Sequence, residues 1–214
     1  ESILARQQGF DTAEVLYKAL GAFWSKGYEA TSLSDLTRIM GLSKSSLYGA
    51  FGDKRQLFLA AFDLYRRDRA VELREILAAG CARAAIERYF RLIVTDAGKE
   101  TFSNGCMSIN QAVELAPHDP EVRARVQADF ELIEEELTST IKRGQAEGSV
   151  KSLDAARKLA RLQMVSFPGL QVMVRTGMSQ EWLDEAIEEL LSLLDQEPNL
   201  STSDLRFGFA NSSR

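Results

Sequence analysis

The sequence predicts an all-α protein, with a small N-terminal head of three helices in front of a larger C-terminal helical bundle. Apolar residues recur at helical spacing along most of the 214 residues, and no convincing alternation of apolar and polar residues indicates a strand. Only 4 prolines interrupt the chain, and three helix-start signals follow one another between residues 31 and 57. These patterns divide the chain into a head at 1–65, a body at 66–195 and a flexible tail at 196–214.

The first helices of the head are marked by residues that cap their ends. Asp11, with Glu14 three residues later, predicts a helix that Gly27 closes. Ser32 opens an S-x-x-D capping box for a short second helix that stops at Gly41. A tight turn after this glycine gives the second and third helices the spacing of a helix-turn-helix unit.

Ser43 begins a third helix of about two turns, in which Leu47 and Phe51 face inward. The side chains expected to face outward, and suited to contact nucleic acid, are Lys44, Ser45, Ser46 and Tyr48. Asp53 then caps a longer helix whose first turn contains Lys54. The positive end of a helix dipole disfavours a lysine there by about a few tenths of a kcal/mol. A bound phosphate explains this lysine, and a simply solvated side chain is the alternative.

The stretch GYEATSLSDLTRIMGLSKSSLYGAFGDKRQLF resembles the N-terminal signature of the TetR family of tetracycline-repressor-like regulators. It combines a Gly-Tyr helix exit, a Thr-Ser helix entry, Gly-Leu-Ser at the turn, Leu-Tyr in the third helix and Phe-Gly-Asp-Lys after it. The likeness covers about residues 10–65, and GCMSINQAVELAPHDPEVR extends it into the body at lower specificity. It implies a ligand-responsive, DNA-binding transcriptional regulator, with repression expected ahead of activation.

The resemblance also implies which residues meet a double-stranded DNA operator. Base-edge contacts are implied for Lys44, Ser45, Ser46 and Tyr48, and phosphate contacts for Thr31, Ser32, Tyr48 and Lys54. A lysine near the start of the third helix can reach guanine acceptors in the major groove, and hydroxyl groups can donate or accept. Gly49 departs from the family pattern, in which many relatives carry an aromatic residue or a histidine. Its small size lets backbone and phosphate approach each other closely.

The formal net charge of −5 looks unfavourable for a DNA-binding protein until it is divided along the chain. Residues 1–69 hold 10 Lys/Arg against 8 Asp/Glu, whereas residues 70–214 hold 16 against 23. Because charges are screened within about 8 Å at physiological salt, an acidic body does not prevent a mildly basic head from binding phosphates. We therefore expect specific binding with modest non-specific affinity.

The body repeats the helical pattern. Its clearest apolar stripe is formed by Val122, Val126, Phe130, Ile133, Leu137 and Ile141, on a helix expected to end near Gly144. A shorter helix is expected at about 107–115, and two more from Leu153 to Arg175 and from Gln180 to Asp195. Pro168 lies inside the first of this last pair. An interior proline costs a helix about 3 kcal/mol, so its presence indicates a requirement of shape.

In relatives of this family the last two helices pack against their own copy. We therefore expect a two-fold homodimer with a four-helix interface, and a monomer whose apolar faces are internal is the alternative. The resemblance also implies a cavity for an unknown small-molecule effector between the head-linked helix and the bundle, where binding opposes operator binding. The residues placed there by position are Phe90, Phe102, Met107, Asn110, Phe130, Gln163, Met164 and Phe167. Each of them alternatively packs as plain core.

Two cysteines and one histidine offer little for metal or redox chemistry. Cys81 and Cys106 lie 25 residues apart without C-x-x-C spacing, so we expect no metal site, no cofactor and no enzymatic activity. The alternative function is a thiol- or metal-responsive regulator of the same fold that senses through Cys106. Buried inert thiols are the first interpretation of both cysteines, whereas the alternative function requires that the position of Cys106 near a helix start lowers the pKa of its thiol. His118 is expected to be an exposed turn residue.

No segment approaches the roughly 18 uninterrupted apolar residues of a membrane span. No secretory apolar region stands near the first residues either. We therefore expect a cytoplasmic protein without a membrane partner.

Overall fold

Nine α-helices make up the part of the chain described by the computed structural model, residues 11–95 and 104–196, and these ranges contain no β-strand. In chain order the helices are α1 (Thr12–Lys26), α2 (Leu33–Met40), α3 (Lys44–Phe51), α4 (Lys54–Ala78), α5 (Ala82–Thr95), α6 (Met107–Glu114), α7 (Pro120–Glu147), α8 (Ala156–Arg175) and α9 (Gln180–Ser192). The predicted all-α fold class is confirmed. The predicted tail, after its first residue, lies outside the described residues. No helix in the described ranges combines the length and the apolar character needed to cross a bilayer.

The predicted N-caps of the head are confirmed. The side chains of Asp11, Ser32, Ser43 and Asp53 each accept a hydrogen bond from a backbone N–H in the first turn of α1, α2, α3 and α4 respectively. At α2 the capping box is reciprocal, because the Asp35 carboxylate accepts a hydrogen bond from the Ser32 N–H. Gly41 then ends α2 in the left-handed conformation at φ 70°. These local bonds satisfy helix ends that would otherwise lack partners, and they separate α2 from α3.

Three phenylalanines fill the core of the head. Phe23, Phe58 and Phe62 are fully buried, and the rings of Phe23 and Phe58 meet edge to face with their centroids 5.3 Å apart. Met107 from α6 and Val122 from α7 pack into the same cluster. Two helices of the body therefore complete the core of the head.

Helix α4 connects this core to a second one in the body. This helix has 25 residues, and Leu57 near its start packs in the core of the head. Leu73 and Leu77 near its end pack in the body core together with α5, α7, α8 and α9. The helix is continuous across residue 65, where the sequence analysis divides the chain. One continuous helix therefore joins the core of the head to the core of the body.

The apolar stripe of α7 lies on one helix of 28 residues, but the prediction that this helix ends near Gly144 is wrong. The helix continues to Glu147, and Gly148 ends it in the left-handed conformation at φ 79°. Gly144 is buried, and a Cβ at this position would collide with the Val150 side chain and lie 3.0 Å from the Cβ of Ala82. Close packing, rather than helix termination, requires glycine there.

The last two helices are slightly shorter than the sequence predicts. Helix α8 begins at Ala156 rather than at Leu153, whose side chain is exposed, and α9 ends at Ser192 rather than at Asp195. Pro168 lies inside α8 as predicted.

Candidate DNA-binding surface and interior cavity

Helix α3 is held to the head by one side chain and presents the rest of its length to solvent. Within α3, which the structure describes completely, Leu47 is the single fully buried residue. The exposed residues of α3 are Lys44, Ser45, Ser46, Tyr48 and Gly49, and the side chain of Tyr48 is 46% exposed. The helix therefore offers a short polar rod of the size that enters a major groove.

Three hydroxyl groups gather at the start of this rod. The Ser43 Oγ accepts a hydrogen bond from the Ser46 N–H at 3.1 Å, and it lies 2.9 Å from the hydroxyls of Ser45 and of Ser46. The hydroxyls surround the positive end of the α3 dipole, where an anion is favoured. Lys44 stands beside them in the first turn.

Thr31, Ser32 and Lys54 were also expected to contact phosphates, and the structure places each of them in a different environment. Thr31 is fully buried, and its hydroxyl donates to the Gly27 carbonyl at 2.6 Å. The phosphate contact expected from the Thr31 side chain therefore does not fit this position, because the hydroxyl ties the turn between α1 and α2. Ser32 is exposed, and its hydroxyl donates to Asp35 at 2.8 Å.

Lys54 has a partner inside the protein. Its Nζ lies 4.2 Å from the centroid of the Tyr28 ring, within the range of a cation–π interaction. This contact offsets the unfavourable position of a lysine in the first turn of α4. A bound phosphate is thus not needed to account for Lys54, although its half-buried ammonium remains close to the exposed start of α4.

The second candidate site is a cavity of about 110 Å³ in the body, bordered by α4, α5, α7, α8 and the beginning of α6. Its walls are mainly apolar and contain the aromatic rings of Tyr65, Tyr89, Phe130 and Phe167. The rings of Tyr89 and Phe167 stack with their centroids 5.9 Å apart and their planes at 14°. This stacking holds the Tyr89 ring in one orientation.

Two of the residues expected around the effector, Phe130 and Phe167, line this cavity. Phe90 and Met164 instead pack in the body core, and Met107 packs in the core of the head. Phe102 lies outside the described residues.

The two amide side chains expected in the pocket do not border the cavity. The Asn110 Oδ1 accepts a hydrogen bond from Arg175 at 2.7 Å, and its Nδ2 donates to the Asn104 carbonyl at 2.9 Å. Gln163 is buried, and neither its amide nitrogen nor its amide oxygen has a partner among the described residues. Asn110 therefore connects α6 to α8, and Gln163 belongs to the interior of the bundle.

Every charged side chain among the described cavity residues is paired with an opposite charge. The Arg66 Nε lies 2.7 Å from Asp129, and the Arg69 Nη1 lies 2.6 Å from Glu72. Ser108 also donates to Asp129 at 2.6 Å. Burial raises the pKa of Asp129, while the bonds from Ser108 and Arg66 act in the opposite direction. The wall therefore carries ion pairs but little net charge.

Cys106 borders the cavity, and the alternative prediction of a lowered pKa for its thiol is wrong. Burial raises the pKa of the Cys106 thiol, and the helix-start N–H groups of Ser108 and Ile109 offset only part of this effect. The Tyr65 hydroxyl donates to the Cys106 sulfur at 3.5 Å and accepts from the Met107 N–H at 3.1 Å. A thiol with a raised pKa has less thiolate at neutral pH and reacts more slowly.

The other metal and thiol candidates lie at the surface. Cys81 and His118 are both exposed. Among the described residues, no group of three or more His, Cys, Asp or Glu side chains is placed to hold a metal ion.

Helix α6 links the cavity to the head through bonds that the sequence analysis did not anticipate. The Trp24 Nε1 of α1 donates to the Gly105 carbonyl at 2.8 Å, just before α6. At the other end of α6, the Glu114 carboxylate accepts a hydrogen bond from the Glu29 N–H at 2.9 Å. Gly105 itself borders the cavity. These contacts join residues far apart in the chain, and no local pattern indicates them.

The last two helices and the turn between them carry exposed apolar side chains, which we call the apolar face of α8 and α9. They are Leu162, Val165, Val172, Met173, Met178 and Trp182. Val165 is 74% exposed and Trp182 is 41% exposed. Exposed apolar side chains that are concentrated in one part of a chain are typical of a protein interface.

Comparison with known proteins matches both parts of the chain. The family model described as bacterial regulatory proteins, tetR family, matches residues 15–61, and the model described as tetracyclin repressor-like, C-terminal domain, matches residues 69–190. The chain is 31% identical over 194 residues to the HTH-type transcriptional regulator YezE of Bacillus subtilis, which covers 90% of this chain and 100% of that protein. It is 29% identical over 180 residues to the HTH-type transcriptional repressor ComR of Escherichia coli, covering 83% and 86%.

Among solved structures, a cysteine mutant of the TetR family transcriptional regulator CifR superimposes with a TM-score of 0.77 and 29% identity. The match covers 87% of this chain and 98% of that one, which is complexed with a 26-bp double-strand operator DNA.

Proposed function

We propose that this chain, which belongs to the TetR family of bacterial regulatory proteins, is a repressor that leaves a palindromic operator when a small molecule occupies its cavity. As a member of this family it is a DNA-binding transcriptional regulator and not an enzyme. Direct binding to chromosomal DNA places its site of action in the bacterial cytoplasm.

The observation that carries the DNA-binding role is the geometry of α3, with Leu47 buried and a polar face in solvent. We assign base-edge contacts to Lys44, Ser45, Ser46 and Tyr48 because amine and hydroxyl groups match the donors and acceptors of the major groove. We assign phosphate contacts to Ser32, Tyr48 and Lys54. Gly49, which has no side chain, allows the protein backbone to approach a phosphate closely. The operator complex of CifR supports a DNA-binding role for this chain by analogy.

A homodimer supplies the second reading head. The exposed apolar face of α8 and α9 supports an interface between two copies, because a stable interface needs such a surface. Two α3 helices related by a two-fold axis would enter successive major grooves about 34–36 Å apart. Val165→Glu should produce monomers that lose palindromic DNA, as measured by sedimentation and DNA binding. The matched control is Val113→Glu on α6, which is 78% exposed and lies away from this face.

The bonds of α6 support a route from the cavity to the head. Gly105 and Ser108 border the cavity, while Gly105 and Glu114 hold α1 and the turn after it. A ligand that shifts α6 or the C-terminal half of α4 would change the separation of the two α3 helices. Binding of effector and operator would then be reciprocally antagonistic, because each prefers a different head spacing.

Selection from a random double-stranded DNA library with the full-length protein tests this function. The expected product is a palindrome whose half-sites are centred about one helical turn, 10–10.5 bp, or a multiple of it apart. Placing that sequence over a promoter should reduce transcription when the protein is present. Recovery of no enriched sequence would refute DNA binding, and increased transcription would refute repression.

A thiol-responsive regulator is the second candidate, favoured by the position of Cys106 in the cavity wall. The raised pKa of Cys106 argues against rapid oxidation. We expect Cys106→Ala to keep both operator binding and release by an organic effector. Release by a thiol oxidant that Cys106→Ala abolishes would favour this second candidate.

A further inference from the structure

Two polar groups of the cavity lack hydrogen-bond partners among the described residues. Gln171 is only 8% exposed and borders the cavity, as does the partly buried Tyr89. Within residues 11–95 and 104–196, neither the Gln171 amide nor the Tyr89 hydroxyl forms a hydrogen bond. Polar groups that are mostly shielded from bulk water usually form hydrogen bonds in native proteins. Two such groups without a described partner beside one cavity are available to bond a ligand.

The hydroxyl of Tyr89 is positioned to act as a donor. Stacking on Phe167 fixes its ring. Burial raises the pKa of Tyr89 strongly, and the nearby Cys106 and Glu72 side chains, both in the cavity wall, raise it further. The hydroxyl therefore keeps its proton at physiological pH. It can donate a hydrogen bond to an acceptor atom of a ligand.

The charged side chains that the structure describes in the wall are already paired with each other. Arg66 is occupied by Asp129, and Arg69 by Glu72. A carboxylate or ammonium brought into this largely apolar space would lose its hydration without gaining an opposite charge. A neutral ligand avoids this cost, and burial of its apolar part against the aromatic and aliphatic walls favours binding.

The size of the cavity suits a small ligand. The cavity has a volume of about 110 Å³, which is comparable to the roughly 150 Å³ apolar cavity known to hold benzene. A molecule with one aromatic ring, or with an aliphatic body of similar volume, therefore fits this space.

We propose that the cavity selects small uncharged molecules with an apolar body and one acceptor oxygen, such as a ketone, which receives a hydrogen bond from Tyr89 and a second polar contact from Gln171. The inference rests on the proposed function, because it names the chemical class of the effector. Tyr89 and Gln171 are the specificity-determining residues of the site. The ion pairs Arg66–Asp129 and Arg69–Glu72 exclude acids and amines.

Three probes of equal heavy-atom count test this selectivity: acetophenone, benzoate and isopropylbenzene. Calorimetric titration of the full-length protein should rank acetophenone first. Isopropylbenzene should bind about three- to tenfold more weakly because it lacks the acceptor, and benzoate more than about tenfold more weakly because its charge is unpaired.

Tyr89→Phe should lower the affinity for acetophenone to that for isopropylbenzene and leave isopropylbenzene unchanged. The variant removes only an unpaired hydroxyl, so its fold is expected to persist. Tyr17→Phe is the matched control, because the Tyr17 hydroxyl donates to Asp68 outside the cavity. It should leave the binding of all three probes as it is.

The outcomes separate this inference from the proposed function. Benzoate that binds as tightly as acetophenone, or a Tyr89→Phe variant that weakens both neutral probes equally, overturns the selectivity. Binding of none of the three probes, with operator binding intact, overturns the inference about the cavity and leaves the DNA-binding role standing. Failure to bind any selected operator overturns the proposed function, while the ranking of the probes still decides the chemistry of the cavity.

Discussion

The polar groups of helix α3 and those of the interior cavity differ in exposure and pairing. At the start of α3, the hydroxyls of three serines and the side chain of Lys44 are exposed to solvent, and water can replace the hydrogen bonds among the hydroxyls. In the cavity, Arg66 and Arg69 are paired with carboxylates. Unpaired positive charge on a surface strengthens binding to a polyanion, because each phosphate contact releases counterions. Paired charges in a cavity wall favour the binding of an apolar molecule, because the surroundings of that molecule are then close to neutral.

The two regions also differ in how they are held. Leu47 alone is fully buried within α3, whereas parts of five helices build the cavity. Helix α6 contacts both environments, with Gly105 in the cavity wall and bonds to Trp24 and Glu29 of the head. Under the function that we propose, a ligand that fills the cavity would shift the lightly anchored α3.

The anchoring of α3 by Leu47 gives the largest expected effect. Leu47→Ala should lower the free energy of unfolding by about 2–5 kcal/mol, because it opens a cavity under the helix. Tyr48→Ala, on the exposed side of the same helix, should change it by less than about 0.5 kcal/mol. Urea denaturation followed by circular dichroism measures both. Equal losses would contradict the division of α3 into one buried side and one solvent side.

Substitutions on the exposed face of α3 should affect DNA binding rather than the free energy of unfolding. Lys44→Ala should weaken binding to the selected operator by about 1–3 kcal/mol and relax the preference for one base pair, because a base-edge contact is lost. Fluorescence anisotropy with the operator and its single-base variants measures this. Lys142→Ala, an exposed lysine on α7, is the control. A loss that is uniform across all operator variants would reassign Lys44 to a phosphate.

Lys54 tests whether a cation already paired with Tyr28 also contributes to DNA binding. Lys54→Ala should weaken binding evenly across sequences and reduce the slope of log affinity against log salt by about one, since one phosphate contact is removed. Anisotropy titrations at several salt concentrations give the slope. An unchanged slope would mean that the cation–π contact is the whole role of Lys54.

The smallest expected effect concerns the start of α2. The hydrogen bonds from the Ser32 hydroxyl and N–H lower the pKa of Asp35 below its unfolded value of about 4. The ionised carboxylate therefore contributes stability above that pH, and the contribution is lost as the pH falls through the lowered pKa of the folded state. Asp35→Asn should be less stable than the natural chain at pH 6, and the difference should shrink as the pH approaches 3. Urea denaturation across this pH range measures it, and a difference that grows toward acid would contradict the direction of the shift.

The sequence predicted structural features correctly where the interacting residues are near each other in the chain. The caps at Ser32, Ser43 and Asp53 were predicted correctly because each side chain bonds a backbone group three residues away. The family signature, which lies in the same stretch, led to the correct family. Gly144 was misread as a helix end because a glycine that ends a helix and one that permits close packing look alike in a sequence.

The site residues were harder to predict because their roles depend on distant partners. The Thr31 hydroxyl turns inward to the Gly27 carbonyl, and the thiol of Cys106 is buried, which reverses the expected direction of its pKa shift. Tyr89 and Gln171 have one signal in the sequence, since Gln171 follows Phe167 by one helical turn. That spacing does not reveal which face of α8 borders an open space.

The amino-acid order alone was enough to specify helices, their caps, the polar face of α3 and the separation of a mildly basic head from an acidic body. Those features arise from hydrogen bonds and apolar periodicity within a few residues, and from charges that can be counted along the chain. The cavity, the Arg66–Asp129 pair in its wall, the phenol and amide that lack described partners, and the bonds of α6 and of Gly105 just before it to Trp24 and Glu29 formed only when segments some 60 or more residues apart were packed together. Burial and pairing depend on three-dimensional neighbours, so no local pattern encodes them.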